Sequence, residues 1–257
     1  MGFSPVAHIK SKMIGADRNR VLVCTEGVVP GRHRVVEMYD DFLGDVLATN
    51  WGNATKGSDG ATVDFAHLTG TRGMIKGTTG AGAGASMAAN GIQIHSALQW
   101  KANQGNLTLE AMLKLSAITN ISVFVGFTDQ IASLEMPIHS AASANTITTN
   151  ATDAVGMFFD TSMTADNWWA AGVKADTDAT HQNSGVAPVA DTFQRLRIEV
   201  DSSGNADFYI DGARVGTTMA NAVTATVALT PVIAAFTRSA ASADITVDYV
   251  QVLATRA

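Results

Sequence analysis

Phe193-Gln-Arg-Leu-Arg-Ile-Glu-Val-Asp201, Ser202-Ser-Gly-Asn205, Ala206-Asp-Phe-Tyr-Ile210, Asp211-Gly212 and Ala213-Arg-Val-Gly216 form one unbroken stretch. Leu196, Ile198 and Val200 alternate with Arg195, Arg197 and Glu199. In an extended chain successive side chains point to opposite faces, so this period of two predicts a strand with one buried face. Ser202–Asn205 reads as a short turn and 206–210 as the returning strand, which makes a hairpin. Asp211-Gly212 reads as a second hairpin turn, because these residues tolerate the positive φ angles that a two-residue loop requires.

Similar patterns lie on either side. In Leu107-Thr-Leu-Glu-Ala-Met-Leu-Lys-Leu115 the odd positions are apolar, and Thr108, Glu110 and Lys114 take the other face. Ile121–Phe127, Val155–Asp160 and Trp168–Val173 are rich in β-branched and aromatic residues, as strands are. Leu229–Phe236 and Ile245–Leu253 close the chain, and Pro231 places its segment at a sheet edge or a strand start. Almost no 3.6-residue periodicity is present, and no internal repeat. Short strands separated by turns predict an all-β fold: a two-sheet antiparallel jelly-roll sandwich. Gly77-Thr-Thr-Gly-Ala-Gly-Ala-Gly-Ala85 reads as a loop. No Gly-Lys-Ser/Thr closes it, which excludes a phosphate-binding loop.

The 257 residues are 46% hydrophobic and 16% charged, a globular composition able to bury a large core without a staple. Cys24 is the only cysteine, so no internal disulfide forms. The first ten residues lack a continuous apolar run, which predicts no signal peptide. No run of 18 apolar residues exists to span a membrane. The net charge of −6 is unevenly spread. Lys10, Lys12, Arg18, Arg20, Arg32 and Arg34 face only Asp17 and Glu26 in residues 1–36, a net +4, against −10 for the remainder. Val21–Cys24, a turn at Val28–Gly31 and Val35-Val36 predict a small hairpin-like arm. We therefore expect an N-terminal extended arm over 1–38 and a sandwich domain over 39–257. The six cations are the arm's candidate docking residues, suited to an acidic surface. The acidic body excludes nucleic acid as a partner.

Leu196–Gly216 resembles the core hairpins of concanavalin A-like and laminin G-like sandwiches, and Asp248-Tyr-Val-Gln-Val252 is similar to the closing strand of that superfamily, which includes glucanases. A second resemblance rests on Met38–Asp45, Ser96–Gly105, Asn145–Ala154 and Asp166-Asn-Trp-Trp169, which are similar to a family of tailed-bacteriophage virion proteins. It implies a non-catalytic structural protein on the particle surface, made in the host bacterial cytoplasm: a head decoration (cement) or tail-associated protein. The implied partners are the major capsid protein or other virion proteins, in a homo-oligomer (trimer or dimer). The lectin-like strands imply the alternative, a carbohydrate-binding module that adheres to host-surface glycans.

The superfamily's glucanases carry Glu-x-Asp-x-x-Glu on one strand, because hydrolysis needs two carboxyl groups flanking the scissile bond. No such run occurs here. Glu110 stands alone opposite Lys114, Glu135 stands alone in Ser133-Leu-Glu-Met136, and adjacent Asp40 and Asp41 point oppositely on a strand. The sequence thus predicts no enzyme. No His-x-x-x-His or Cys-x-x-Cys spacing offers zinc a site. No cofactor is expected. Calcium is the open question, with Asp176, Asp178 and Asn183 in one loop and Asp153 and Asp160 nearby in sequence. Trp168 and Trp169 are the candidate carbohydrate residues, since an exposed indole stacks on the C–H face of a sugar.

Overall fold

Leu196, Ile198 and Val200 are buried, while Arg195, Arg197 and Glu199 face partly open space, as the period of two requires. The computed structural model describes residues 35–44, 46–52, 55–70, 73–82, 86–142 and 145–255. Its strands in chain order begin with β1 (Val35–Asp40), β2 (Thr55–Lys56), β3 (Val63–His67), β4 (Ile75–Thr78), β5 (Ile92–His95) and β6 (Leu107–Leu115). Then come β7 (Ile121–Thr128), β8 (Ile138–Ser140), β9 (Ile147–Thr149), β10 (Ala154–Asp160), β11 (Trp168–Lys174) and β12 (Thr177–Asp178). The last are β13 (Gln182–Asn183), β14 (Gln194–Val200), β15 (Ala206–Ile210), β16 (Ala213–Met219), β17 (Thr230–Thr237) and β18 (Asp244–Thr255).

These make two antiparallel sheets. The first runs β16-β15-β14-β6-β18-β4-β3, with β1 also pairing along β18. The second runs β12-β11-β10-β7-β17-β5-β2, with β13 also on β11. β8 and β9 form a separate hairpin. The jelly-roll sandwich expected from the sequence is thus the observed architecture. The core between the sheets joins Leu107, Leu109, Ala111, Leu113 and Leu115 of β6 to Ile121, Val123, Val125 and Phe127 of β7 and their neighbours. Each such side chain contributes roughly 1.5–3 kcal/mol on full burial.

The turns behave as their residues predict. Asp211 (φ 50°) and Gly212 (φ 83°) are both left-handed, between the paired Ile210 and Ala213. In the preceding turn Asp201 Oδ1 accepts from Ser203 N (2.8 Å) and Asn205 N (2.9 Å). Pro231 stands at the start of β17, and β5 joins that strand only from Val232.

Three expectations change. β17 is an interior strand, so Pro231 marks a strand start and not an edge. Val35 and Val36 pair with Thr255 and Ala254 on the last strand, so β1 crosses the expected boundary at 38/39 and belongs to the body. The glycine-rich loop begins later than its composition suggests, because Gly77 lies inside β4. A Cβ there would stand 2.8 Å from Ile92 Cδ1 and 3.1 Å from the Phe65 ring, so glycine lets the sheets close at that point.

Gly204 has φ +83°, and a Cβ on it would collide with the Val223 carbonyl. Gly204→Ala should cost roughly 1–3 kcal/mol through backbone strain, with more from the collision. Urea denaturation should show a lower midpoint at an unchanged slope.

Candidate functional site

The two sheets differ on their outer faces. β6, β14 and β15 alternate buried with half-buried residues, so the first sheet opens to solvent. β7, β10 and β17 are buried at every position. Their outer side chains, Phe124, Phe158, Val232, Ala234 and Phe236, join Trp169 of β11 in a second apolar cluster with Met136, Ile138 and Met163. The chain between β7 and β10, which includes the β8–β9 hairpin, supplies that cover. Phe124 lies across two paired glycines: a Cβ on Gly156 would stand 2.7 Å from its Cζ, and one on Gly126 2.9 Å.

An ion pair clamps the cover down. Asp160 is fully buried, and its carboxylate accepts from Arg238 through both oxygens. It also accepts from Ser140 N of the hairpin (2.9 Å) and from Ser162 N (2.9 Å). Arg238 Nη2 donates to Ser140 O (2.7 Å). His139 packs edge-on against Phe236 at 5.7 Å. Burial pushes its imidazole below the ordinary value, opposed by the Ser140 bond and reinforced by the Arg238 charge.

Away from this clamp, other polar groups of the cover and of β5 are left unsatisfied. Asp129 follows β7 directly and donates its N–H to Asp153 O (2.9 Å). Six residues on, Glu135 donates its N–H to Gln93 Oε1 of β5 (3.4 Å). Asp129 Oδ1, Glu135 Oε1 and Gln93 Nε2 are all buried atoms without a hydrogen-bond partner. Such orphan groups cost stability, and in a native fold each calls for an explanation. Burial raises both carboxyl pKa values above the usual range. For Glu135 the Asp129 charge raises it further, against one Ser133 hydrogen bond. For Asp129, backbone hydrogen bonds from the Asp153 region partly offset the rise. The cluster therefore offers two acceptors and one donor, with protons held more tightly at Glu135 than at an ordinary glutamate.

The residues marked by sequence fall elsewhere. Trp168 is 1% exposed in the main core, and its Nε1 donates to Gln194 Oε1 (2.9 Å). Trp169 is 5% exposed under the cover, and its Nε1 donates to Ala165 O (3.1 Å). Neither presents a ring face to a sugar, which corrects the stacking expectation. Lys10, Lys12, Arg18, Arg20, Arg32 and Arg34 lie outside the described residues. Glu110 is not alone: it accepts from Tyr249 Oη (2.8 Å), and Lys114 sits over the Phe193 ring instead (5.4 Å). Asp178 accepts from Thr149 Oγ1 (2.9 Å), Asp153 from Thr224 N (2.6 Å), and Asn183 from Gly185 N (2.8 Å). Among the described residues no group of three or more His, Cys, Asp or Glu is placed to hold a metal. Nor is any helix among them long and apolar enough to cross a membrane. Asp129 and Gln93 carried no local signal, since no motif spacing links residues 93, 129 and 135.

Two outcomes follow. Arg238→Ala leaves the Asp160 charge buried and unpaired, which should cost about 3–5 kcal/mol in chemical denaturation. Glu135→Gln and Asp129→Asn should do the reverse and stabilise. A carboxyl whose folded pKa is raised loses stability as pH rises from the unfolded value toward the folded one, and stays penalised above it. The gain should thus be present at pH 7 and vanish below about pH 4. Because both groups are half open to solvent it should stay below about 1 kcal/mol, roughly 1–3 °C in Tm.

No family model matches the sequence, and no curated protein matches it. Solved structures do match. A protein of unknown function from Shewanella oneidensis MR-1 aligns at 12% identity and a TM-score of 0.54, covering 86% of this chain and 87% of its own. A Bacillus licheniformis β-glucanase aligns at 12% identity and 0.54, covering 84% and 97%. The catalytic domain of an endo-1,3-β-glucanase (laminarinase) from Thermotoga petrophila RKU-1 aligns at 10% and 0.53, covering 86% and 97%. At these identities the likeness shows the fold. It overturns the reading of a non-catalytic virion structural protein, and with it the expectation of no enzyme: solved proteins sharing this fold include glucanases, and none of these matches bears on a bacteriophage particle. The Glu-x-Asp-x-x-Glu spacing covers carboxylates on one strand only, whereas tertiary packing couples Asp129, just after β7, to Glu135 of the covering segment.

Proposed function

We propose that this protein engages carbohydrate at the Asp129–Glu135–Gln93 cluster, and that the two carboxyl groups act on a glycosidic bond. The observation that carries this reading is Glu135, hydrogen-bonded to Gln93 through its N–H and electrostatically coupled to Asp129, on a jelly roll of the glucanase type, with Asp129 Oδ1, Glu135 Oε1 and Gln93 Nε2 unpartnered. Sugar hydroxyls both donate and accept. Two carboxylate acceptors and an amide donor match them in hydrogen-bonding type.

Glycoside cleavage needs one carboxyl group protonated and one ionised. Burial and the Asp129 charge hold the Glu135 proton more tightly than at an ordinary glutamate, which suits Glu135 to the role of acid toward the departing glycosidic oxygen. Asp129, also raised by burial but partly offset by backbone hydrogen bonds, is assigned the role of the partner that assists attack at the anomeric carbon.

Reducing-end release should be followed on β-1,3-glucan and mixed-linkage β-glucan, with binding measured by calorimetry. Wild-type protein should bind and cleave at least one of them. Glu135→Gln should lose about 10²- to 10⁴-fold in turnover while keeping affinity. The rate should fall on the alkaline side at a pH above the ordinary glutamate value. Wild-type protein that neither binds nor cleaves any glycan of a broad panel would sink the reading.

A further inference from the structure

The outer face of the first sheet, across the sandwich from the Asp129–Glu135 cluster, holds a groove of about 690 Å³. Strand register orders its side chains in rows. One row is Gln251, Glu110, Arg197 and Tyr209, and here the cations are spoken for: Arg197 lies 4.1 Å over the Tyr209 ring and 3.1 Å from Glu199. The next row is Glu37, Leu253, Thr108, Glu199 and Asp207, whose three acids meet two arginines, Arg197 at Glu199 and Arg214 at Asp207. Four acids line the groove, Glu110, Glu199, Asp201 and Asp207, with Glu37 at its margin, against Arg197 in the lining and Arg195 and Arg214 at the margin.

Val35, the first residue of β1, lines this groove opposite Thr255. The chain before it is therefore tethered at the groove's mouth. An extended chain advances at most about 3.6 Å per residue, so Arg34 and Arg32 have their Cα atoms within about 11 Å of Val35. Residues 1–34 as a whole carry six cations against Asp17 and Glu26.

We propose that residues 1–34 of this same chain dock along the acidic groove on the outer face of the first sheet. Three facts support it together: covalent continuity at Val35, the opposite sign of the two surfaces, and an excess of acids over arginines on the open face of the sheet. Tethering makes the encounter intramolecular, so weak ion pairs suffice at the high effective concentration of a short linker. The occupant is basic and polypeptide, which sets this surface apart from the sugar site on the opposite face.

The full chain tests this directly. A zero-length carbodiimide should couple the amines of Lys10 or Lys12 to Glu199, Asp207 or Glu37. In an equimolar mixture of ¹⁵N-labelled and unlabelled protein, those linked peptides should be isotopically pure. Replacing the six cations by glutamine should leave the melting profile unchanged and speed carboxyl labelling of Glu199 and Asp207 about threefold at low salt. Wild-type protein in 0.5 M salt should approach the same rate. Isotopically mixed links would place the segment on a second copy and overturn the proposal. So would labelling rates that ignore both the substitutions and the salt.

Discussion

The Asp160–Arg238 pair is the interaction on which the cover of the second sheet depends. A fully buried carboxylate is tolerable only when its lone pairs are taken, and here they are taken by a guanidinium and two backbone N–H groups. Two of those partners tie the β8–β9 hairpin to strands β10 and β17. With the hairpin fixed, Phe124, Phe158, Phe236 and Trp169 gain a second apolar layer, and the outer face of the second sheet becomes interior. The segment leading to the hairpin sets the Glu135 N–H on Gln93 of β5, within electrostatic reach of Asp129.

The same wrapping creates the tension at the site. Covering the sheet removes water from groups that the cover does not replace with hydrogen bonds. Asp129 Oδ1, Glu135 Oε1 and Gln93 Nε2 remain unmet while other polar groups nearby, Asp153 and Asn150 among them, are paired. Elsewhere the fold meets some polar groups fully, since Asp201 alone accepts three hydrogen bonds in one turn, and leaves others unmet, among them Asp64 Oδ1, Trp100 Nε1 and Ser122 Oγ.

The sandwich is thus two-faced. One sheet has a solid apolar cover with a polar defect at its end. The other lies open, with ladders of charge that pair across strands: Arg195 with Glu110, Arg197 with Glu199, Arg214 with Asp207. Exposed pairs of that kind add little to stability. Their effect is on the charge the open face presents, where the acids at Glu37, Glu199 and Asp207 outnumber the arginines that meet them.

Alternation was legible from the start. Leu196, Ile198 and Val200 against Arg195, Arg197 and Glu199 determined a half-buried strand, and Asp211-Gly212 determined the turn after its return, because period and φ preference are local properties. The continuous apolar run of β7 showed a strand but not that both its faces are covered, since the second cover comes from a segment with little pattern of its own. Trp168-Trp169 announced two aromatic anchors without saying that both are enclosed. The sequence by itself determined the sandwich, its hairpins and the sign of each segment's charge. Only the tertiary structure decided the site, because the environment of Asp129, Glu135 and Gln93 is made by a loop closing over a sheet end, and no spacing along the chain encodes that contact.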